Sequence, residues 1–298
     1  MSCDTFEDVR VRAALFCGDR DWEKFHTPNN LLLALCGEVG EFCECFQWLG
    51  IDGDCADELH AKELHARLKP AAVVHVGEEA SDVLIYSARL ADLMGIDLAA
   101  AAAAAATTAT SASASASASA SASAPASASA PSGSHKQCPW AAFSFADAHK
   151  QCRDRGVVSP RKSARLLASA AGQLAALFAA HPETQSAQPA SQWPEEDLLL
   201  AGRLLADVAL AAVGGAGTLG LDVGQCVGDK FAKNDAKYPA ARVRGSSAKY
   251  TFYQQQHRGH RGAAAGGLTA LEVAAAATTV ALVAAAVGFA FGRRQLRA

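Results

Sequence analysis

The sequence has no charge excess of either sign. Its 298 residues carry 27 Lys and Arg against 30 Asp and Glu, a formal charge of −3. That excludes a generally basic nucleic-acid binder, so no nucleic-acid partner is expected beyond what a local basic patch could hold. It also has no CxxC pair. Nine cysteines, an odd number at irregular spacing, indicate neither a zinc ribbon nor a small disulfide scaffold. Reduced thiols in a cytosolic compartment are expected. Met1-Ser2-Cys3-Asp4 shows no basic-then-apolar stretch, so no secretory signal is expected. Alternating β-branched runs are scarce, which argues against sheet. Residues 99–134 hold little but Ala, Ser and Thr, with Ser-Ala alternating from Ser111 to Ala124. Such a run has no side chain to bury and reads as a disordered linker, with Ala99–Ala106 able to extend a preceding helix.

What is present supports a packed core. Half the residues are apolar and 19% are charged, and the length allows about two domains. In 30–48 the apolar residues Leu31, Leu35, Val39, Phe42 and Phe46 recur at helical steps. Thr27-Pro28 supplies an N-cap and a first-turn proline. Helices are also predicted over 76–94, 161–178 and 195–213. The whole chain therefore reads as all-α, divided into 4–98, the linker 99–134, 140–256, and an apolar segment 268–292.

The two structured parts resemble each other. A shift of 132 places Pro28, Leu35, Gly40 and Phe46 on Pro160, Leu167, Gly172 and Phe178. A shift of 125 places Gly77, Asp82, Val83 and Gly95 on Gly202, Asp207, Val208 and Gly220. Two blocks in the same order at similar shifts predict a tandem duplication.

Chemistry concentrates in Glu38-Val39-Gly40-Glu41 and Glu79-Ala80-Ser81-Asp82. A three-residue step puts both carboxylates of each pair on one helix face. Two such helices side by side would gather four carboxylates, a hard oxygen set that suits Mg²⁺ or Mn²⁺ better than Zn²⁺. A lone ExxE is usually a solvated helix face, but Glu38 and Glu41 lie close to the apolar stripe. Trp22, His26, Asn30, Trp48 and Tyr86 accompany the acids. Trp faces stack on nucleobases, and His or Asn can read a polar edge; each aromatic taken singly also fits a core position. Lys230 and Asn234 stand one turn apart and can face one phosphate-bearing ligand, or belong to an ordinary basic surface. Gly215-Ala216-Gly217-Thr218-Leu219-Gly220 fits GxGxxG but follows a helical stretch, which excludes a dinucleotide fold. Cys36, Cys43, Cys45 and Cys55 lack a metal spacing.

The runs Asp21–His26, Asn30–Leu35, Gly37–Glu41, Phe46–Trp48 and Glu78–Tyr86, resumed at Leu221-Asp222, Lys230, Asn234, Tyr238-Pro239 and Ser246–Thr251, resemble the dCTP pyrophosphatases. Those are MazG-like all-α nucleoside triphosphate pyrophosphatases. The resemblance covers 6–98 and 221–251. It implies hydrolysis of a dNTP, dCTP or a modified dCTP, to dNMP and pyrophosphate. It implies Mg²⁺ held by Glu38, Glu41, Glu79 and Asp82, substrate contacts from Trp22, His26, Asn30, Trp48 and Tyr86, and phosphate contacts from Lys230 and Asn234. It also implies self-association through a helical bundle, here as an intrachain pseudo-dimer. One departure is Ala13, where the family pattern has a histidine. Another is the second half, which offers Ala170, Gln173, Leu204 and Asp207 where the first has its acids. That copy is expected to bind no metal.

Two functions remain open on the sequence: a Mg²⁺-dependent pyrophosphatase, and a non-catalytic nucleotide-binding or membrane-tethered scaffold on the same fold. The intact acid quartet favours the first. Val273–Phe291 is 19 residues without a charge, followed by Arg293-Arg294. About 20 apolar residues span a bilayer core as a helix. The segment is expected to tail-anchor a cytosolic enzyme domain in an organelle membrane, the alternative being an alanine-rich helix docked on protein. His257–Arg261 is then a juxtamembrane linker.

Overall fold

The computed structural model describes residues 2–48, 65–66, 68–112, 140–156, 159–181 and 193–246. The expected anchor, the basic linker before it and most of the Ser-Ala run lie outside the described residues. Among those described, every regular element is helical, with one isolated antiparallel bridge between Thr5 and Ser144.

Helix α1 (Phe6–Asp19) starts at a capping box. The Thr5 hydroxyl accepts the Asp8 N–H at 3.1 Å, and the Asp8 carboxylate accepts the Thr5 N–H at 2.9 Å. A single 3-10 turn, Glu23–Phe25, leads to α2 (Pro28–Gln47), capped by Thr27 with Pro28 in its first turn, as expected. Helix α3 (Pro70–Met94) ends at Gly95, whose φ of 72° is the left-handed conformation that stops a helix cheaply only at glycine. Asp97 then accepts the Ala100 N–H at 2.8 Å at the head of α4 (Leu98–Ala112).

Helix α4 moves the expected start of the linker. The alanines after Leu98 are a separate helix, not an extension of α3, because Gly95 breaks the chain. Ala99 and Ala102 are buried. Alanine has the strongest helix propensity, and its small side chain admits a close neighbour.

The same series then recurs. Ser144 caps α5 (Phe145–Asp154) through the Asp147 N–H, and Ser159-Pro160 opens α6 (Pro160–Ala179). Helix α7 (Glu195–Thr218) is followed by Gly220, again at φ 72°, and Asp222 caps α8 (Val223–Lys237) through the Gln225 N–H at 2.9 Å. A short α9 (Ala240–Val243) follows. Helices α2 and α6 both have 20 residues, and α4 and α8 both have 15, so cap, length and order repeat together.

Packing repeats too. Helix α2 lies on α3 as α6 lies on α7; α2 meets α6, and α3 meets α7. The last helix of each series is exchanged: α8 packs on α3, and α4 packs on α7. Close approach is needed where α8 crosses α3. A Cβ at Gly77 would stand 2.8 Å from the Cys226 Sγ. Helix α7 is long and apolar enough to cross a membrane by length and composition, but most of it is buried among α3, α4, α5 and α6, as a core helix would be. Phe42 and Phe46 of α2, Leu84 and Leu90 of α3, Leu167 and Leu174 of α6 and Leu205 of α7 are fully buried in the core.

Candidate functional site

Helices α2 and α3 bring Glu38, Glu41 and Glu79 together, with one carboxylate oxygen of each within 4.8 Å of the others. The two three-residue steps put these groups on facing sides of adjacent helices. Glu79 is 4% exposed. Its Oε1 lies 3.2 Å from the His75 Nδ1, and its Oε2 is buried without a hydrogen-bond partner. A buried carboxylate oxygen left bare is costly unless a cation takes it.

The fourth acid stands apart from this trio. Asp82 pairs with the Lys230 ammonium, which α8 brings across. Lys233, one turn beside it, reaches the Glu78 carboxylate at 2.6 Å. The expected quartet is thus three converging carboxylates and a neighbour held by a lysine.

Electrostatics reflect the crowding. Burial pushes the Glu38 carboxyl up to about 7, helped by Asp82, Glu41 and Glu79 and opposed by Lys230. Burial likewise raises Glu79, against Lys230, and Asp82, against the same lysine. Burial works against the Lys230 ammonium, but Asp82 overrides it and holds its pKa above the ordinary value. Four clustered acids with one inserted lysine remain short of positive charge.

Two of the acids, Glu38 and Asp82, open onto a cleft of about 180 Å³, while Glu41 and Glu79 lie beside it and do not line it. Glu38, Asp82, Lys230 and Asn234 line one part, and Trp22, His26 and Tyr86 line the rest, so five of the seven expected substrate contacts meet there. Asn30 and Trp48 do not line it. Asn30 is exposed, and its side-chain amide donates to the Phe25 carbonyl at 3.0 Å; it serves the α2 head. Trp48 ends α2 with its ring 87% exposed. Trp22 is braced rather than free. Its Nε1 donates to the Ser246 carbonyl at 2.8 Å and its ring meets Tyr238 edge-on at 5.4 Å.

Residues not foreseen from the sequence also line the cleft: Phe16, Ile85, Arg89, Phe231 and Tyr238. Arg89 carries a readable signal, since it follows Asp82 and Tyr86 by seven and three residues on one face of α3. Arg20 is the hidden support. It is 3% exposed, donates from Nε to the Tyr238 carbonyl at 2.8 Å, pairs with Asp235 at 2.9 Å and lies 3.5 Å over the Phe16 ring. It pins the end of α8 to α1.

The corresponding place in the second series is bare. Ala170 and Leu204 are buried, Gln173 is exposed and donates to Ser169, and Asp207 pairs with Arg155 at 3.4 Å.

An all-α bundle with three converging carboxylates beside an aromatic-lined cleft, and a lysine-bearing helix laid across it, defines the class of site this chain carries. Within that class the chain is similar to dCTP pyrophosphatase 1 of Homo sapiens, at 47% identity over 94 residues, which are 32% of this chain and 50% of that protein. The same protein from Rattus norvegicus and from Bos taurus gives 46% over the same length and coverage. The chain thus spans about half the length of the curated relatives it matches. No family model matches it, and no solved structure gives a significant match. The resemblance read from the motifs is to these dCTP pyrophosphatases.

Proposed function

We propose that this chain is a divalent-cation-dependent nucleoside triphosphate pyrophosphatase of MazG-like type. It would hydrolyse dCTP or a base-modified dCTP to the monophosphate and pyrophosphate and so clear the nucleotide pool. The observation that carries this reading is the bare, buried Glu79 Oε2 within a trio of carboxylates. The donor set is all oxygen, as Mg²⁺ or Mn²⁺ prefers, and Glu38, Glu41 and Glu79 would hold the ion with Asp82 beside them. Bound there, it would offset the triphosphate charge and lower the pKa of a water, which would add across the α–β phosphoanhydride, its OH to one phosphorus and its proton to the leaving oxygen or solvent.

The remaining steps belong to the protein. Lys230, drawn to Asp82 in the free state, is positioned to turn to the phosphates as they arrive, with Asn234 one turn away. Burial and the neighbouring acids raise the Glu38 carboxyl to about 7 without metal, so cation binding there would release protons near neutral pH. Tyr86 and Trp22 exclude water beside the sugar and base.

The repeated helices and caps support a tandem duplication folded as an intrachain pseudo-dimer, with one competent centre and one degenerate. Further self-association through the bundle, a cytosolic catalytic domain and a tail anchor at Val273–Phe291 complete the reading. The test is pyrophosphate release from dCTP, the other common dNTPs and base-modified dCTP, with and without Mg²⁺. Release from dCTP that needs Mg²⁺ is expected. No release from any nucleotide, with dCTP still bound, would make the chain a nucleotide-binding scaffold instead.

A further inference from the structure

We propose that Arg89 is a specificity-determining residue of the cleft, reading two adjacent hydrogen-bond acceptors on the edge of the substrate base; this rests on the pyrophosphatase reading above. Glu79, Asp82, Tyr86 and Arg89 follow one another along one face of α3. At 1.5 Å per residue, Arg89 stands about 10 Å beyond Asp82. With the phosphates at the acids, the sugar and base extend toward Arg89, between Phe16, Ile85 and Tyr86.

The guanidinium is fixed before any ligand arrives. Its Nη1 donates to the Asp92 Oδ2 at 2.7 Å. Asp92, 4% exposed, is also held by Arg10 at 3.2 Å, and Arg10 by Glu7 at 2.6 Å. A side chain ordered in the free protein loses little entropy on binding. Its Nε donates to the His26 Nδ1 at 3.4 Å. A guanidinium has no acceptor, so Nδ1 must accept, and the single proton of a neutral His26 sits on Nε2. Burial, then the charge of Arg89, pushes the His26 pKa down to about 4, so the ring is neutral at pH 7.

The Arg89 Nη2 also reaches the Cys17 Sγ at 4.0 Å, so with Nη1 on Asp92 and Nε on His26 the guanidinium keeps one N–H on each Nη, and it presents these two donors at this end of the cleft. Cytosine answers with O2 and N3, and guanine with O6 and N7. Thymine sets its N3–H beside each carbonyl, and adenine sets its amino group beside N1 and N7 and offers N3 alone, so neither presents two adjacent acceptors. Buried donors left without acceptors are what discriminate strongly between similar ligands. Ala13 lines the same cleft, where the resembled family has a histidine.

The experiment measures kcat and KM for the four common dNTPs with Mg²⁺, and their equilibrium binding with Ca²⁺, on the full chain and on Arg89→Ala and Arg89→Lys. The wild type is expected to favour dCTP over dTTP by about tenfold or more. In Arg89→Ala the KM and Kd for dCTP should rise about tenfold while kcat and the dTTP constants move little. Arg89→Lys keeps the charge beside Asp92 but not the planar fork, and should lose most of the discrimination while staying folded. An unchanged nucleotide ranking in both variants, or an equal loss on all four nucleotides, overturns the assignment. A wild type that binds but hydrolyses none sinks the pyrophosphatase reading alone, and the binding ratios still decide Arg89.

Discussion

At the residue scale the decisive group is Glu79, because it is buried, negative and half unsatisfied. Glu79→Gln removes one ligand and one repelling charge at once. Activity should fall by at least about 100-fold, since even groups supporting metal ligands cost 10–100-fold when lost. The metal-free protein should melt no lower than wild type, and the rise in Tm on adding Mg²⁺ should vanish. A Mg²⁺-dependent Tm shift equal to wild type would remove Glu79 from the centre. The raised Glu38 carboxyl has its own consequence. Its folded pKa, about 7, lies above the ordinary 4.5, so between these values the native state binds more protons than the unfolded one. Its contribution is therefore complete below about pH 4.5 and is lost as pH rises through about 7. His26, whose folded pKa of about 4 lies below the ordinary 6.5, contributes the opposite slope over nearly the same range. The Glu38 part is therefore read as a difference: as pH rises from about 4.5 to 7, metal-free wild type should lose denaturant stability relative to Glu38→Gln. A difference that does not change with pH would contradict the raised Glu38 carboxyl.

At the scale of elements, the site depends on how closely α8 lies on α3. Gly77 faces Cys226 with no room for a side chain. Gly77→Val should push α8 away, costing about 1–3 kcal/mol of stability and weakening activity through Lys230 more than through the metal ligands. Urea unfolding together with KM at saturating Mg²⁺ checks it; an unchanged KM would mean that α8 tolerates the shift. Much of this arrangement was legible in the sequence. Helices α2, α3, α6 and α7 follow from apolar steps, and Thr27-Pro28 marks the start of α2 as expected. Helix α4 was not, because an alanine run carries no contrast between faces, and only Gly95 and Asp97 signal the break. Glu38, Glu41 and Glu79 were legible because spacing on two helices reports a shared face. Arg20 and the seat of Asn30 were not, because they depend on which helix ends meet, and residue spacing within one helix says nothing about that; Arg89 had the spacing, on the face of Asp82 and Tyr86, but an arginine there also fits a solvated helix face.

At the scale of the whole molecule, the exchange of α4 and α8 makes neither half self-sufficient. Residues 1–120 hold the acids of α2 and α3 but lack Lys230, Asn234 and the Arg20-bound end of α8. They also leave α4 without α7, its packing partner, so Ala99 and Ala102 would face water. Residues 121–298 hold α8 but only Asp207 among the corresponding acids, already paired with Arg155. A cut after Ala120, within the Ser-Ala run, severs no helix of either series. Each fragment alone should release no pyrophosphate from dCTP, and mixing them should restore release. The uncut linker adds only effective concentration. The dependence of rate on fragment concentration should thus saturate at a turnover near that of the intact chain. Full turnover from residues 1–120 alone would show that α8 contributes nothing to the centre, and that the exchanged helices serve packing only.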